Sequence, residues 1–410
     1  MDGSTWRWPR VPRWLWVVGP GVMVMLADTD AGSVITASQS GARWGYRLIA
    51  LQVLLVPVLY LVMELTVRLG IATGKGHAQL IREHFGARWA TVSVAALLVS
   101  AFGALVTEFA GVAGVGELFG LPAALTVLAA AALLVLLVIS GGYRRVELVG
   151  IALGLFELAF VAAAVLSHPG VHALAAGVVS QPLDQSGYLT LVAANVGAVL
   201  MPWMLFYQQG AVVDKGLMVR DLRSARIDTA VGALLTQLVM CSVLIATAAS
   251  LHGRVGSLQS VGAIAGALAP LLGSSTSRIL LACGILGAAL VAAIVVSLAA
   301  AWAVTEATRQ PRSLNDGVRR APLFYGLYTG AVAIGALLVL ASRSLVRLAV
   351  DVEVVNALLL PLALGMLILL AHRVLAAPHA LRRSHRVAVS LTVVAVALVG
   401  IIAIGFAFGL

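Results

Sequence analysis

Apolar residues run along this chain in stretches of about twenty, separated by short segments rich in charge, Pro or Gly. A hydrocarbon layer of about 30 Å needs about that many helical residues at roughly 1.5 Å each. Eleven stretches fit, near 15–40, 47–68, 90–115, 121–140, 146–167, 188–212, 227–251, 279–307, 322–342, 353–372 and 387–408. The first is interrupted: within GPGVMVMLADTDAGSVITASQSGARWGY, residues 19–46, the middle reads Asp28-Thr29-Asp30-Ala31-Gly32-Ser33. An ionised side chain at that depth costs roughly 2.5 kcal/mol or more. The pattern therefore predicts a broken helix whose freed carbonyls and carboxylate face a cation, with Gly32 supplying the backbone angles of the break.

The sixth stretch is interrupted too, at Asn195-Val196-Gly197-Ala198-Val199-Leu200-Met201-Pro202. Pro202 has no N–H and clashes with the preceding turn, so carbonyls before it lose their usual partners. Five stretches followed by five more place the two sets in opposite orientations, which is how an inverted repeat arises, and paired breaks at corresponding positions point to a site between them. The expected organisation is one transmembrane domain over 1–410, with a first repeat at 15–167, a second at 188–372 and an extra helix at 387–408.

Composition agrees with a polytopic membrane protein: 61% of the 410 residues are hydrophobic, 11% are charged, and mean hydropathy is +1.03. The formal charge of +10 does not indicate nucleic acid, because the basic residues are spread between apolar runs rather than gathered on a face. Assigning the connections alternately to two sides puts 21 of the 27 Lys and Arg on one side. By the positive-inside rule that side is cytoplasmic, with the N-terminus inside and the C-terminus outside. Three arginines precede the first stretch without a small-residue cleavage site after it, so a removed signal peptide is not expected. Cys241 and Cys283 lie in separate apolar stretches without CxxC or Cys/His spacing, which suggests neither a disulfide framework nor a zinc site.

The chemistry on offer is oxygen and one sulfur. Asp30 supplies formal charge, Ser33 a hydroxyl, Ala198 a carbonyl and Met201 a thioether, a set suited to a divalent cation. The soft sulfur favours Mn2+, Fe2+ and heavier ions over Mg2+ and Ca2+, although Met201 also reads as a flexible core filler. Asp28 is open between a second acid that attracts cations and a cap on the broken end. Asn195 is open between the ion pathway and a helix-packing hydrogen bond. Glu108, Glu353 and Asn356 are candidates for a vestibule or a proton or ion path, the last two sharing a helix face at i, i+3. Glu64, Glu157 and Glu306 are expected to pair with neighbouring helices. No HExxH, GxSxG, nucleotide loop or soluble domain occurs, and the longest connection, 168–187, is short. An enzyme is not expected, nor a bound cofactor.

These residues resemble the NRAMP divalent-metal transporters. GPG followed by Asp30-Ala31-Gly32-Ser33, Gln39-x-Gly41 and Gly45-Tyr46 is similar to the family's first helix, whose break reads Asp-Pro-Gly-Asn. Thr73-Gly74-Lys75, Glu108 with Gly111, and Ala198-x-x-Met201-Pro202 also match. The resemblance covers nearly the whole chain. It implies an all-α fold of eleven helices, a LeuT-like 5+5 inverted repeat plus one with helices 1 and 6 discontinuous. It also implies alternating-access import of Mn2+, Fe2+ or related ions, usually with protons, and metal ligands at Asp30, Ser33, Ala198 and Met201. The chain departs from the family in four places: Ala31 stands for the motif Pro, Ser33 for the Asn, Trp203 for a His after the span-six Pro, and Leu105 for an Asp one turn before the Glu. Two proton-handling groups are thus absent, and the pattern is similar to the family's NRAMP-related branch, some of whose members carry Mg2+ uncoupled. The expected substrate is Mn2+ or Fe2+, with Mg2+ the alternative. An amino-acid or organic-cation symporter of the same fold is a further alternative.

Overall fold

The computed structural model describes residues 16–252, 261–341, 345–376, 383, 387–396 and 398. Among them the chain is helical throughout, without strands. In order the helices are α1 (Pro20–Asp28), α2 (Ala31–Trp44), α3 (Ile49–Thr73), α4 (His77–Phe85), α5 (Ala87–Leu118), α6 (Ala123–Ile139), α7 (Tyr143–Gly154) and α8 (Leu158–Leu166). There follow α9 (Val171–Val179), α10 (Ser186–Val199), α11 (Pro202–Asp214), α12 (Leu222–Leu251), α13 (Val261–Leu272), α14 (Ser274–Thr308), α15 (Gly317–Arg320), α16 (Pro322–Ala341) and α17 (Leu345–Val374).

Eight segments are long and apolar enough to cross a membrane. The broken α1–α2 pair, the 17-residue α6 and a helix at Val387–Val396 occupy the remaining three expected positions. The chain is a multi-pass membrane protein. The described part of the eleventh helix stops short of the expected 387–408 span, and the arginines of 1–15, Arg254, Arg343, Arg382 and Arg386 also lie outside the described residues.

Several helices run past their expected ends, α5, α14 and α17 most clearly, because the apolar window marks the spanning part of a helix and not its termini. α9 and α13 lie in connections where no helix was expected; each is apolar but too short to span. The outer faces are greasy, Leu125, Leu128, Leu133 and Leu136 of α6 being more than half exposed. Such a surface suits lipid and not water. Inside, α14 is the most enclosed long helix and packs against α5, α1, α11 and α16, while α12 packs against both halves of the first span. Small residues allow these approaches. A methyl at Gly111 of α5 would meet the Ala31 side chain at 2.7 Å, and one at Gly21 of α1 would meet Asp228 of α12 at 2.8 Å.

Candidate metal-ion site

α1 ends at Asp28, Thr29 and Asp30 leave the helical path, and α2 begins at Ala31. Asp30 has an extended backbone and caps α2, its Oδ1 accepting the Ser33 N–H at 2.6 Å. A second acid serves the same helix start: Glu108 Oε2, from α5, accepts the Ala31 N–H at 3.1 Å. The first N–H groups of any helix lack internal partners and carry partial positive charge, so two carboxylates there are held without a cationic side chain.

Gly32 sits in the first turn of α2 and is not among the glycines with positive φ. The expectation that it provides the angles of the break is corrected: it provides room. A methyl on it would stand 2.5 Å from Glu353 Oε1, 3.3 Å from Thr107 Oγ1 and 3.4 Å from Asp30 Oδ1.

The second break mirrors the first. α10 stops at Val199, Leu200 and Met201 are extended, and Pro202 opens α11 at the first helical position, where a missing N–H leaves nothing unpaired. In an uninterrupted helix Ala198 would receive its hydrogen bond from residue 202, and Pro202 has none to give. The freed carbonyl instead accepts the Ser33 hydroxyl at 3.0 Å. Three of the four expected ligand residues, Asp30, Ser33 and Ala198, are thereby linked by hydrogen bonds across the two breaks. Met201, the fourth, lies in the extended link with its side chain buried. Asp28, Asp30, Ser33 and Ala198 are all 0% exposed, so the site is closed on every side.

Glu353 and Asn356 of α17 do share a face: Asn356 Nδ2 donates to Glu353 Oε2 at 2.9 Å and its Oδ1 accepts from Ser100 at 2.5 Å. Glu353 Oε1, beside Gly32, has no hydrogen-bond partner, and neither do Asp30 Oδ2 or the two oxygens of Asp28. Asp28 therefore does not cap α1. Asn195, one turn before Ala198, has its amide occupied: it accepts from Gln52 at 2.6 Å and donates to Ser40 and Leu191 at 2.8 and 2.6 Å. That is the packing arrangement, tying α10 to α2 and α3. Glu64 pairs with Arg68 and Arg226 at 2.7 Å each, and Glu306 pairs with Arg312 and takes the Ala78 N–H. Among the described residues no three His, Cys, Asp or Glu side chains gather as a ligand group. An ion here would draw on the single Asp30 carboxylate together with carbonyl, hydroxyl and thioether donors.

Glu157 was expected to pair with a neighbouring helix, and its partner lies instead in the first break; the partnerships of Asp228 and Lys215 went unread in the sequence. Glu157, in a one-turn 3-10 segment between α7 and α8, accepts a hydrogen bond from Thr29 in the first break. Asp228 of α12 caps the start of α1, accepting N–H groups of Gly19, Gly21 and Val22 at 3.1, 2.7 and 3.3 Å. Lys215, just past α11, binds both oxygens of Glu147 at 2.8 Å and the Val18 carbonyl at 3.0 Å. Burial pushes the Lys215 ammonium down from its ordinary value, against the opposing pull of Glu147. Acids just inside a span, Glu147 and Asp228, were the available signal in two cases, and an acid in the middle of one, Glu157, in the third.

Paired discontinuous helices meeting at a buried, oxygen-rich break define a polytopic membrane protein of the LeuT type. Residues 21–405 match the family described as Natural resistance-associated macrophage protein-like, and the chain belongs to that family. It is 30% identical over 379 residues to the divalent metal cation transporter MntH 1 of Pseudomonas aeruginosa, covering 86% of this chain and 82% of that one. The chain spans 62% of the length of some other curated relatives it matches. A mutant manganese transporter of Eremococcus coleocola superposes with a TM-score of 0.82 at 20% identity, covering 99% of this chain and 91% of that one. Mhp1, a nucleobase-cation-symport-1 family transporter, shares the fold at TM-score 0.62 and 15% identity, covering 94% and 90%.

Proposed function

We propose that this protein is a secondary transporter that imports divalent metal cations, Mn2+ or Fe2+ first, by alternating access. The observation that carries the reading is the Asp30–Ser33–Ala198 linkage, which puts a carboxylate, a hydroxyl and a carbonyl freed by Pro202 together between the two broken helices. The name and family of the Pseudomonas aeruginosa relative support it. In this reading Met201 completes the shell and sets the preference for softer ions. Asp28, Glu108, Glu353 and Asn356 line the route, the two inverted repeats at 15–167 and 188–372 rock against each other, and the arginine-rich side and the N-terminus face the cytoplasm.

Coupling to protons is not part of the proposal. Trp203, buried, offers only an N–H donor where a His would titrate, and Leu105 packs against Gly335 of α16 as a plain apolar residue. Moving two charges inward at about 100 mV contributes roughly 4.6 kcal/mol, enough for accumulation on the membrane potential alone. Mg2+ is the second reading, favoured by Ser33 in the place of an amide ligand. An amino-acid substrate is disfavoured, since Asp30 would repel its carboxylate.

Flux into liposomes tests the proposal. Mn2+ uptake driven by an inward-negative potential, without a pH gradient, is expected, with loss of all transport in Asp30→Ala. A preference for Mn2+ over Mg2+ that persists unchanged in Met201→Ala removes the sulfur from selectivity, and transport intact in Asp30→Ala ends the proposal.

A further inference from the structure

Ten acidic side chains are buried among the described residues, and the way each is compensated separates two of them from the rest. Glu64, Glu147 and Glu306 have cationic partners. Asp221 and Asp228 accept backbone N–H groups. Asp30 and Glu108 sit on the positive start of α2. Glu353 has the Asn356 amide. Asp28 has no hydrogen-bond partner on either oxygen, and Glu157 has only the Thr29 hydroxyl on one oxygen, its Oε1 being unpaired.

Position makes their need greater. Asp28 is the last residue of α1, where the helix end carries partial negative charge, the opposite of the start of α2 three residues later. Glu157 reaches the same end from the turn between α7 and α8, because its Oε2 touches Thr29. The charges of Asp30, Glu157 and Glu353 all bear on Asp28. No Lys or Arg among the described residues is bonded to either acid. A buried carboxylate without a counter-charge is strongly unfavourable and is relieved by a proton or a cation; two such acids at the negative end of one helix offer a cation its ligands.

We propose that Asp28 and Glu157, the latter held at this end of α1 by the Thr29 hydroxyl, bind a second cation beside the transported ion. The inference rests on the transport reading only in taking Asp30, Ser33 and Ala198 as the first site. The donors named at the second site, two carboxylates and a hydroxyl, are all oxygen, so the ion is hard: Na+ or Ca2+ in class, and not the softer ion that Met201 suits. Thr29, which bonds Glu157, stands between Asp28 and Asp30 in the chain, so occupancy of one site is felt at the other.

Binding of radiolabelled sodium and calcium to the purified full-length protein, in choline buffer at neutral pH with saturating Mn2+ present, tests this. One of the two ions is expected to bind wild type alongside Mn2+. Glu157→Gln should weaken that ion by about tenfold or more and Mn2+ by less, whereas Ser33→Ala should weaken Mn2+ and spare the hard ion. Asp28→Asn should act as Glu157→Gln does; where it fails to fold, Glu157→Gln, monodisperse on gel filtration, carries the test. The proposal is overturned if neither ion binds wild type, if Mn2+ displaces the ion one for one, or if Glu157→Gln binds it as wild type does. Wild type that binds the hard ion but not Mn2+ keeps the second site and defeats the transport reading.

Discussion

Ser33 holds the two breaks together with one hydroxyl, so its removal separates effects that the other residues mix. Ser33→Ala deletes a buried hydrogen bond and leaves the Ala198 carbonyl unpaired, which should cost about 1–3 kcal/mol of stability in the metal-free protein. Saturating Mn2+, which would satisfy that carbonyl, should restore part of the loss in a thermal-unfolding assay. His77, outside the spans on α4, gives a cleaner pH experiment. It is enclosed beside Phe206, with Nδ1 2.9 Å from Gln209, and burial lowers its pKa from 6.5 to about 4. The unfolded chain binds the proton near 6.5 and the folded one resists it, so stability is full above 6.5 and falls as pH drops toward 4. Wild type should lose about 3 kcal/mol more than His77→Gln over that window; parallel pH curves for the two proteins would remove His77 as the cause. Asp30, Ser33 and Ala198 could be picked out from sequence because local rules mark them: an acid at a break, a hydroxyl one turn on, a carbonyl four residues before a proline. The role of Asp228 and the partner of Glu157 could not be, since the groups they bond lie 207 and 128 residues away.

Helix ends, more than helix middles, do the work in this fold. Both breaks were legible because Pro202 and the Asp28–Ser33 run contradict a spanning helix, and the spans were legible because lipid demands unbroken apolar length. α9 and α13 were not, since an apolar segment too short to span looks like any loop until it packs. Pro202→Ala returns an N–H four residues after Ala198, which competes with Ser33 for the carbonyl and favours fusing α10 to α11. Mn2+ binding measured by calorimetry should weaken by at least about tenfold, a cost of roughly 1.4 kcal/mol. Gly197 tests the packing of α10 on α17: a methyl there would run into the Glu353 backbone carbonyl, which a backbone cannot yield as a side chain does. Gly197→Ala should therefore lower stability by about 1–3 kcal/mol or more, and a variant as stable as wild type would disprove that close approach.

Across the whole molecule, the asymmetry of 21 basic residues against six predicts orientation as well as span number. Reporter fusions in the connection after α11, which carries Lys215 and Arg220, should report the cytoplasm, and a fusion at 168–187 the outside. An external report from the first fusion would invert the topology. The Asp30–Ser33–Ala198 linkage has one more consequence at this scale. The hydroxyl and the freed carbonyl satisfy each other, and both residues are buried. On the transport proposal, this bond gives the two breaks a partner in each other once the ion has left, so the unloaded protein can make its return stroke without borrowing one from the far side. A carrier built this way runs as a one-way ferry rather than a turnstile that must always swap passengers: filling vesicles that start without metal should be as fast as exchanging label between loaded ones.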